Sequence, residues 1–184
     1  MKRHMWVAAI PVLTVVLWGQ TAEFATAKRT ISGKEVTYQW KAFHPPIALK
    51  ADSARLNQTT AANCSFLLYT RLAKGDVDGA AQLSSAPGKT KAKYTQYKER
   101  LGAAEFQKMF TEYFNGKGAI KYEFVIGDHH MLLLTSPEGD GELSAQMYVK
   151  TGDKYLVDES ESPQFDQLGR LFSAVREGTL KLPE

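Results

Sequence analysis

The chain has 184 residues, with 23 Lys and Arg against 20 Asp and Glu, a net charge of +3 and 43% hydrophobic residues. That is enough for one domain with a sizeable core, and the charge is too balanced to argue for nucleic acid or for strong membrane attraction. Cys64 is the single cysteine, which excludes an intrachain disulfide. Beside Phe66, Leu67 and Leu68 it is expected to be a buried thiol acting as a small hydrophobe.

Residues 1–27 read as a signal peptide. Lys2 and Arg3 form a positive start, residues 5–18 are uncharged and apolar, and Ala25-Thr26-Ala27 has the small-x-small pattern of a cleavage site. The apolar run is shorter than the roughly 20 residues of a membrane span. The expectation is an exported, periplasmic protein beginning at about Lys28, without a stable membrane anchor after cleavage. A retained N-terminal anchor is the alternative, because Glu23 and Phe24 make an imperfect cleavage region.

The next stretch, residues 28–58, is expected to hold an N-terminal strand and a connecting segment. Val36, Tyr38 and Trp40 alternate within residues 30–43, and His44-Pro45-Pro46 ends the strand because neither proline can donate to a ladder. Residues 47–57 read as a short helix or loop. A helix follows over residues 59–74, with Cys64, Leu68 and Leu72 at i, i+4 and i+8 and Thr59 or Thr60 as N-cap. Gly75-Asp76 stops it, and residues 77–83 make a further helical turn. Residues 89–114 form a second helical region broken at Gly102. Its first half mixes lysines with Tyr94 and Tyr97 as a solvated face, and its second half carries Phe106, Met109, Phe110, Tyr113 and Phe114.

Residues 119–160 read as a four-stranded antiparallel meander. Ile120, Tyr122, Phe124 and Ile126 alternate with Lys121, Glu123 and Val125, which predicts a half-buried strand. Gly127-Asp128, residues 137–141 and Gly152-Asp153 are the turns, and connections this short join antiparallel neighbours. An amphipathic helix over residues 163–178 closes the chain, with Phe165, Leu168, Leu171, Phe172 and Val175 on one side. The fold class expected is α+β: a curved antiparallel sheet, made of the N-terminal strand plus the meander, wrapped on helices. Residues 59–160 form its body and residues 161–184 an additional C-terminal helix and tail.

The order of several short segments resembles the nuclear-transport-factor-2-like superfamily. Phe66-Leu67-Leu68-Tyr69, Leu72-Ala73-Lys74-Gly75-Asp76, Ala80-Ala81 and Leu83 are similar to its first helix and following turn. Leu101-Gly102 with Phe106 is similar to the helical stretch before its sheet. The turn at Gly127-Asp128 and the ending Gly152-Asp153-Lys154-Tyr155-Leu156-Val157-Asp158 resemble its first and last hairpins, with Tyr155 where Trp is usual. The resemblance covers residues 60–160 and implies a cone: a bent sheet around helices, often with a pocket at the open end. The superfamily includes isomerase- and dehydratase-like enzymes and many members that only bind, so the site must decide the function.

No catalytic residue, cofactor, EF-hand or zinc spacing is expected from the sequence. Phe66, Tyr69, Phe110, Tyr122, Phe124 and His130 are the candidates to line a pocket for a small apolar or aromatic ligand, unless they simply fill the cone as core. Alternation places His129 and His130 on opposite faces of their strand, at the rim of a turn. His130 with Asp158 or Tyr122 has the residue types of a proton-transfer site. Adjacent histidines on a strand cannot face one metal ion. Asp158, Glu159, Glu161 and Asp166 are expected to form a solvated acidic patch. Three functions are open: a non-catalytic periplasmic protein with a protein partner or a second copy, for example an immunity-type inhibitor of a secreted envelope-targeting toxin; a small-molecule binder; and an isomerase- or dehydratase-type enzyme.

Overall fold

The computed structural model describes residues 23–31, 33–50, 52–135 and 142–182. The expected signal segment through residue 22, and the expected turn at 137–141, lie outside them. The fold is α+β. One six-stranded antiparallel sheet in simple meander order is built from β1 (Ala25–Ile31), β2 (Lys34–Lys50), β3 (Asn115–Ile126), β4 (His129–Thr135), β5 (Leu143–Thr151) and β6 (Lys154–Val157). The helices α1 (Ala61–Ala73), α2 (Val77–Ala81), α3 (Pro87–Leu101) and α4 (Ala103–Tyr113) come between β2 and β3, and α5 (Pro163–Arg176) closes the chain.

The N-terminal region departs from expectation. Two strands stand where one was predicted, because the chain turns at Gly33, whose φ of 76° suits a residue without Cβ. The expected cleavage motif Ala25-Thr26-Ala27 forms the first part of β1, opposite Tyr38, Gln39 and Trp40. His44-Pro45-Pro46 does not end β2. The strand bulges there, with Ala42 opposite Tyr122 and pairing resumed at Ile47 opposite Ile120. A matching shift on the other side of β3 leaves Lys121 without a partner in β4. The extra residue reverses the alternation. Ile120 therefore faces one core and Phe124 the other, although their spacing alone puts them on one side.

The sheet is covered on both faces. Against the first lie α1, α2 and α4, with Cys64, Leu68 and Leu72 packing onto Ile120, Leu132, Leu134 and Tyr148. Thr60 caps α1 by accepting the Asn63 N–H at 3.0 Å, and Asp76 caps α2 by accepting the Gly79 N–H at 2.8 Å. Gly102, at φ 81°, separates α3 from α4. Against the second face lies α5, with Leu168 and Leu171 packed on Tyr38, Phe124, Met131 and Leu133. Both faces of β4 are consequently buried, which is why residues 131–134 read as a continuous apolar run.

Cys64 sits at the centre of the first core, fully buried. Burial pushes its thiol up to about 12, against a smaller lowering by a hydrogen bond with Gln58. Since the thiolate is the nucleophile, the native protein should resist alkylation by iodoacetamide at pH 8 and react once unfolded in guanidinium. Rapid native labelling would show that α1 opens.

Candidate functional site

Two polar clusters lie on the sheet, one on each face. On the first face, Lys41 of β2, Glu123 of β3 and His130 of β4 stand side by side. Lys41 Nζ is 2.8 Å from Glu123 Oε2, and His130 Nδ1 is 2.8 Å from Glu123 Oε1. Tyr155 of β6 sets its ring edge-on to the imidazole, 4.8 Å between centroids. Glu123 is only 6% exposed. Burial alone would raise its carboxyl, but hydrogen bonds from His130 and Lys41, with the Lys41 charge, outweigh that and hold it below the usual range. The alternation of β3 had suggested a solvent side for Glu123. The covering of both sheet faces places it inside, and a histidine within an apolar strand was the one signal of a buried partner.

On the second face, His129 Nδ1 is 2.6 Å from Asp158 Oδ2, and Ser162 Oγ is 3.4 Å from His129 Nε2. Asp158 Oδ1 also accepts the Ser160 N–H at 2.9 Å. In the tautomer that donates Nδ1–H to Asp158, Nε2 accepts from the Ser162 hydroxyl. In residue type this is a nucleophile–base–acid relay. Yet Ser162 is also the N-cap of α5, accepting the Phe165 N–H at 3.1 Å. None of the grooves described below is lined by Ser162 or His129. The cluster ties the start of α5 to β4 and to the end of β6.

The two histidines take opposite faces directly after the 127–128 turn, and each is engaged by a carboxylate. His130 meets neither Asp158 nor Tyr122; its partner is Glu123. Of the expected acidic patch, Glu161 and Asp166 are exposed and Glu159 and Glu161 share Lys89, whereas Asp158 is turned inward. Asp158 is buried against His129, Glu159 meets Lys93 at 3.1 Å, Glu161 meets Lys89, and Asp166 pairs with Arg170 at 2.8 Å. No group of three or more His, Cys, Asp or Glu among the described residues is placed to hold a metal ion.

The six pocket candidates do not converge on one cavity. Phe66 is fully buried against Phe114, and Phe124 is fully buried on the other side of the sheet. Tyr122 lines a groove of about 410 Å³ at the β2 bulge, with Phe43, His44 and Lys121. Tyr69 and Phe110 line a groove of about 260 Å³ with Tyr94, Tyr97, Tyr113 and residues 144–146 of β5. Beneath that groove, Gln146 donates to the Tyr69 hydroxyl at 2.7 Å and accepts from Tyr148 and from Ser65 at 3.1 Å. Burial raises both tyrosine hydroxyls well above their usual value, so they stay protonated donors or acceptors.

Two further grooves open along the same stretch of β5. One of about 550 Å³ is lined by residues 142–145 with Phe172, Val175 and Arg176 of α5. The other, of about 380 Å³, runs from Tyr94 past residues 145–148 to Asp158, Phe165 and Phe172. All three meet at Ala145. Sequence reasoning missed this edge, because its residues carry no chemical motif.

No protein-family model matches the chain, and no curated protein or solved structure is significantly similar to it. Fold and site are thus defined from its own residues: an α+β protein with two largely buried polar clusters and a grooved sheet edge.

Proposed function

We propose that this chain acts by binding another polypeptide, as an exported, periplasmic interaction protein that performs no chemistry of its own. The observation that carries this reading is where space is left in the molecule. The first face, where a cone-shaped enzyme would keep its pocket, is filled by Phe66, Leu68, Phe106, Ile120 and Leu132. Three grooves instead adjoin one another along the β5 edge. Both imidazoles near the sheet end are engaged by carboxylates, which supports a structural role for them. An immunity-type inhibitor of a secreted envelope-targeting toxin is one concrete form of the proposal. The succession of helix, Gly-Asp turn, aromatic helix and four-stranded meander supports a distant relationship to the nuclear-transport-factor-2-like superfamily.

Native mass spectrometry tests this, on protein made from its full gene and purified gently from the periplasm. The expected result is a chain beginning near Lys28 carrying one partner protein at fixed stoichiometry. A small organic molecule bound in its place would favour the ligand-binding alternative. A bare chain at every growth condition would overturn the proposal.

A further inference from the structure

We infer that the outer edge of β5 is the docking site, and that it takes a single extended segment of the partner as a seventh strand. This rests on the polypeptide-binding reading above. β6 pairs only with Tyr148–Thr151 of β5. From Leu143 to Met147, the outer side of β5 has no strand beside it among the described residues.

The direction of the free backbone groups follows from two hydrogen bonds. The Met147 carbonyl accepts the Asp158 N–H at 2.9 Å on the outer side, and the Lys150 N–H donates to Asp128 at 2.8 Å on the inner side. In an antiparallel strand the N–H and C=O of one residue point the same way and alternate from residue to residue. Leu143 and Ala145 therefore direct both their N–H and their C=O off the sheet, and Met147 directs its N–H. Such a row is a template for another strand, and edges are normally blunted by charge, proline or cover. The opposite edge, β1, carries Lys28 and Arg29, the latter donating to Thr179 at 3.1 Å. The open part of β5 reads Leu-Ser-Ala-Gln-Met, without charge, proline or glycine.

Walls on both sides identify the occupant. Tyr94, Tyr97 and Phe110 stand over the edge on the first face, and Phe172 and Val175 on the second. All five residues of the open stretch are half-buried as a result. A single strand fits such a slot about 4.8 Å from β5, sending alternate side chains into the two grooves. A single strand is favoured over a second copy, which would bring its own α3 and α5 up against these walls. The first-face groove suits an aromatic or aliphatic side chain. On the second, Arg176 lies over the Phe172 ring at 5.8 Å and Glu142 lines the same groove, so an apolar side chain flanked by a polar or charged one is favoured there.

The test uses a phage-displayed library of short random peptides selected against the mature chain. The winners are measured by fluorescence anisotropy on wild type, Ala145→Pro and Leu143→Pro. Each proline removes one outward N–H and costs no bond to β4, and edge positions of this kind tolerate proline. Thermal melts confirm folding, and Leu143→Pro serves if Ala145→Pro does not fold. The expected result is peptides with alternating apolar residues that bind at least about 10-fold more weakly to the proline variants. Amide exchange should slow at Leu143, Ala145 and Met147 when such a peptide is added. No selected peptide, equal binding to the variants, or protection elsewhere overturns the inference. So does a dimer of this chain that Ala145→Pro dissolves. If the partner seen by native mass spectrometry stays bound to Ala145→Pro, the edge is wrong while the binding proposal stands.

Discussion

Replacing Phe66 by alanine should destabilise the protein by about 3–5 kcal/mol and lower its melting temperature by roughly 10 °C or more. The ring is 1% exposed. It packs edge-on against Phe114 with centroids 6.0 Å apart, and the Arg55 guanidinium lies 5.4 Å from its centre. Cys64, Leu68 and Leu72, on another side of the same helix, anchor α1 in the core, so its backbone cannot collapse to fill a void. The loss is therefore transfer free energy plus a cavity that stays open. Thermal and urea denaturation followed by circular dichroism measure it. An unchanged midpoint would mean that the ring borders open space, and would return Phe66 to a ligand pocket.

Glu123→Ala should cost a similar amount, about 3 kcal/mol, for a different reason. It leaves two cation-forming groups, Lys41 and His130, in a setting where both side chains are mostly buried and their shared acceptor is gone. Replacing all three by apolar residues of similar volume should cost much less, since the penalty comes from the unpaired groups. The same carboxylate makes stability depend on pH. Its folded-state pKa lies below the unfolded one, so the ionised form stabilises the fold at every pH above the ordinary carboxylate range. That contribution disappears as pH falls through the lowered folded value. Wild type should thus lose stability on acidification below about pH 4.3, and Glu123→Gln should lose less over the same interval. Urea midpoints at a series of pH values decide it. Parallel curves would show that Glu123 does not titrate with unfolding.

Much of the architecture follows from local pattern. Cys64, Leu68 and Leu72 at helical spacing mark α1, Gly102 breaks α3 from α4, and Gly127-Asp128 and Gly152-Asp153 place the hairpins of the meander. These signals survive because each depends on a few neighbouring residues. A proline-rich stretch misleads by the same locality. His44-Pro45-Pro46 reads as a strand end, yet β2 continues beyond it by bulging opposite Lys121.

Only the folded chain decides which side each residue faces, because one unpaired residue in β3 reverses the alternation and sends Ile120 and Phe124 to opposite cores. Tertiary packing also joins residues far apart in sequence that carry no mutual signal: Lys41 with Glu123, His129 with Asp158, Ser65 and Tyr69 with Gln146. The open edge of β5 is of this kind. Its own residues specify a strand, but β6 ends the pairing at Tyr148 and two distant helices wall the slot. A strand's sequence encodes its two faces, whereas its free edge is made of backbone, and backbone is the same at every residue but proline. Local sequence determined most of the elements of this protein, and packing alone decided which stretch of the sheet edge is left without a neighbouring strand among the described residues.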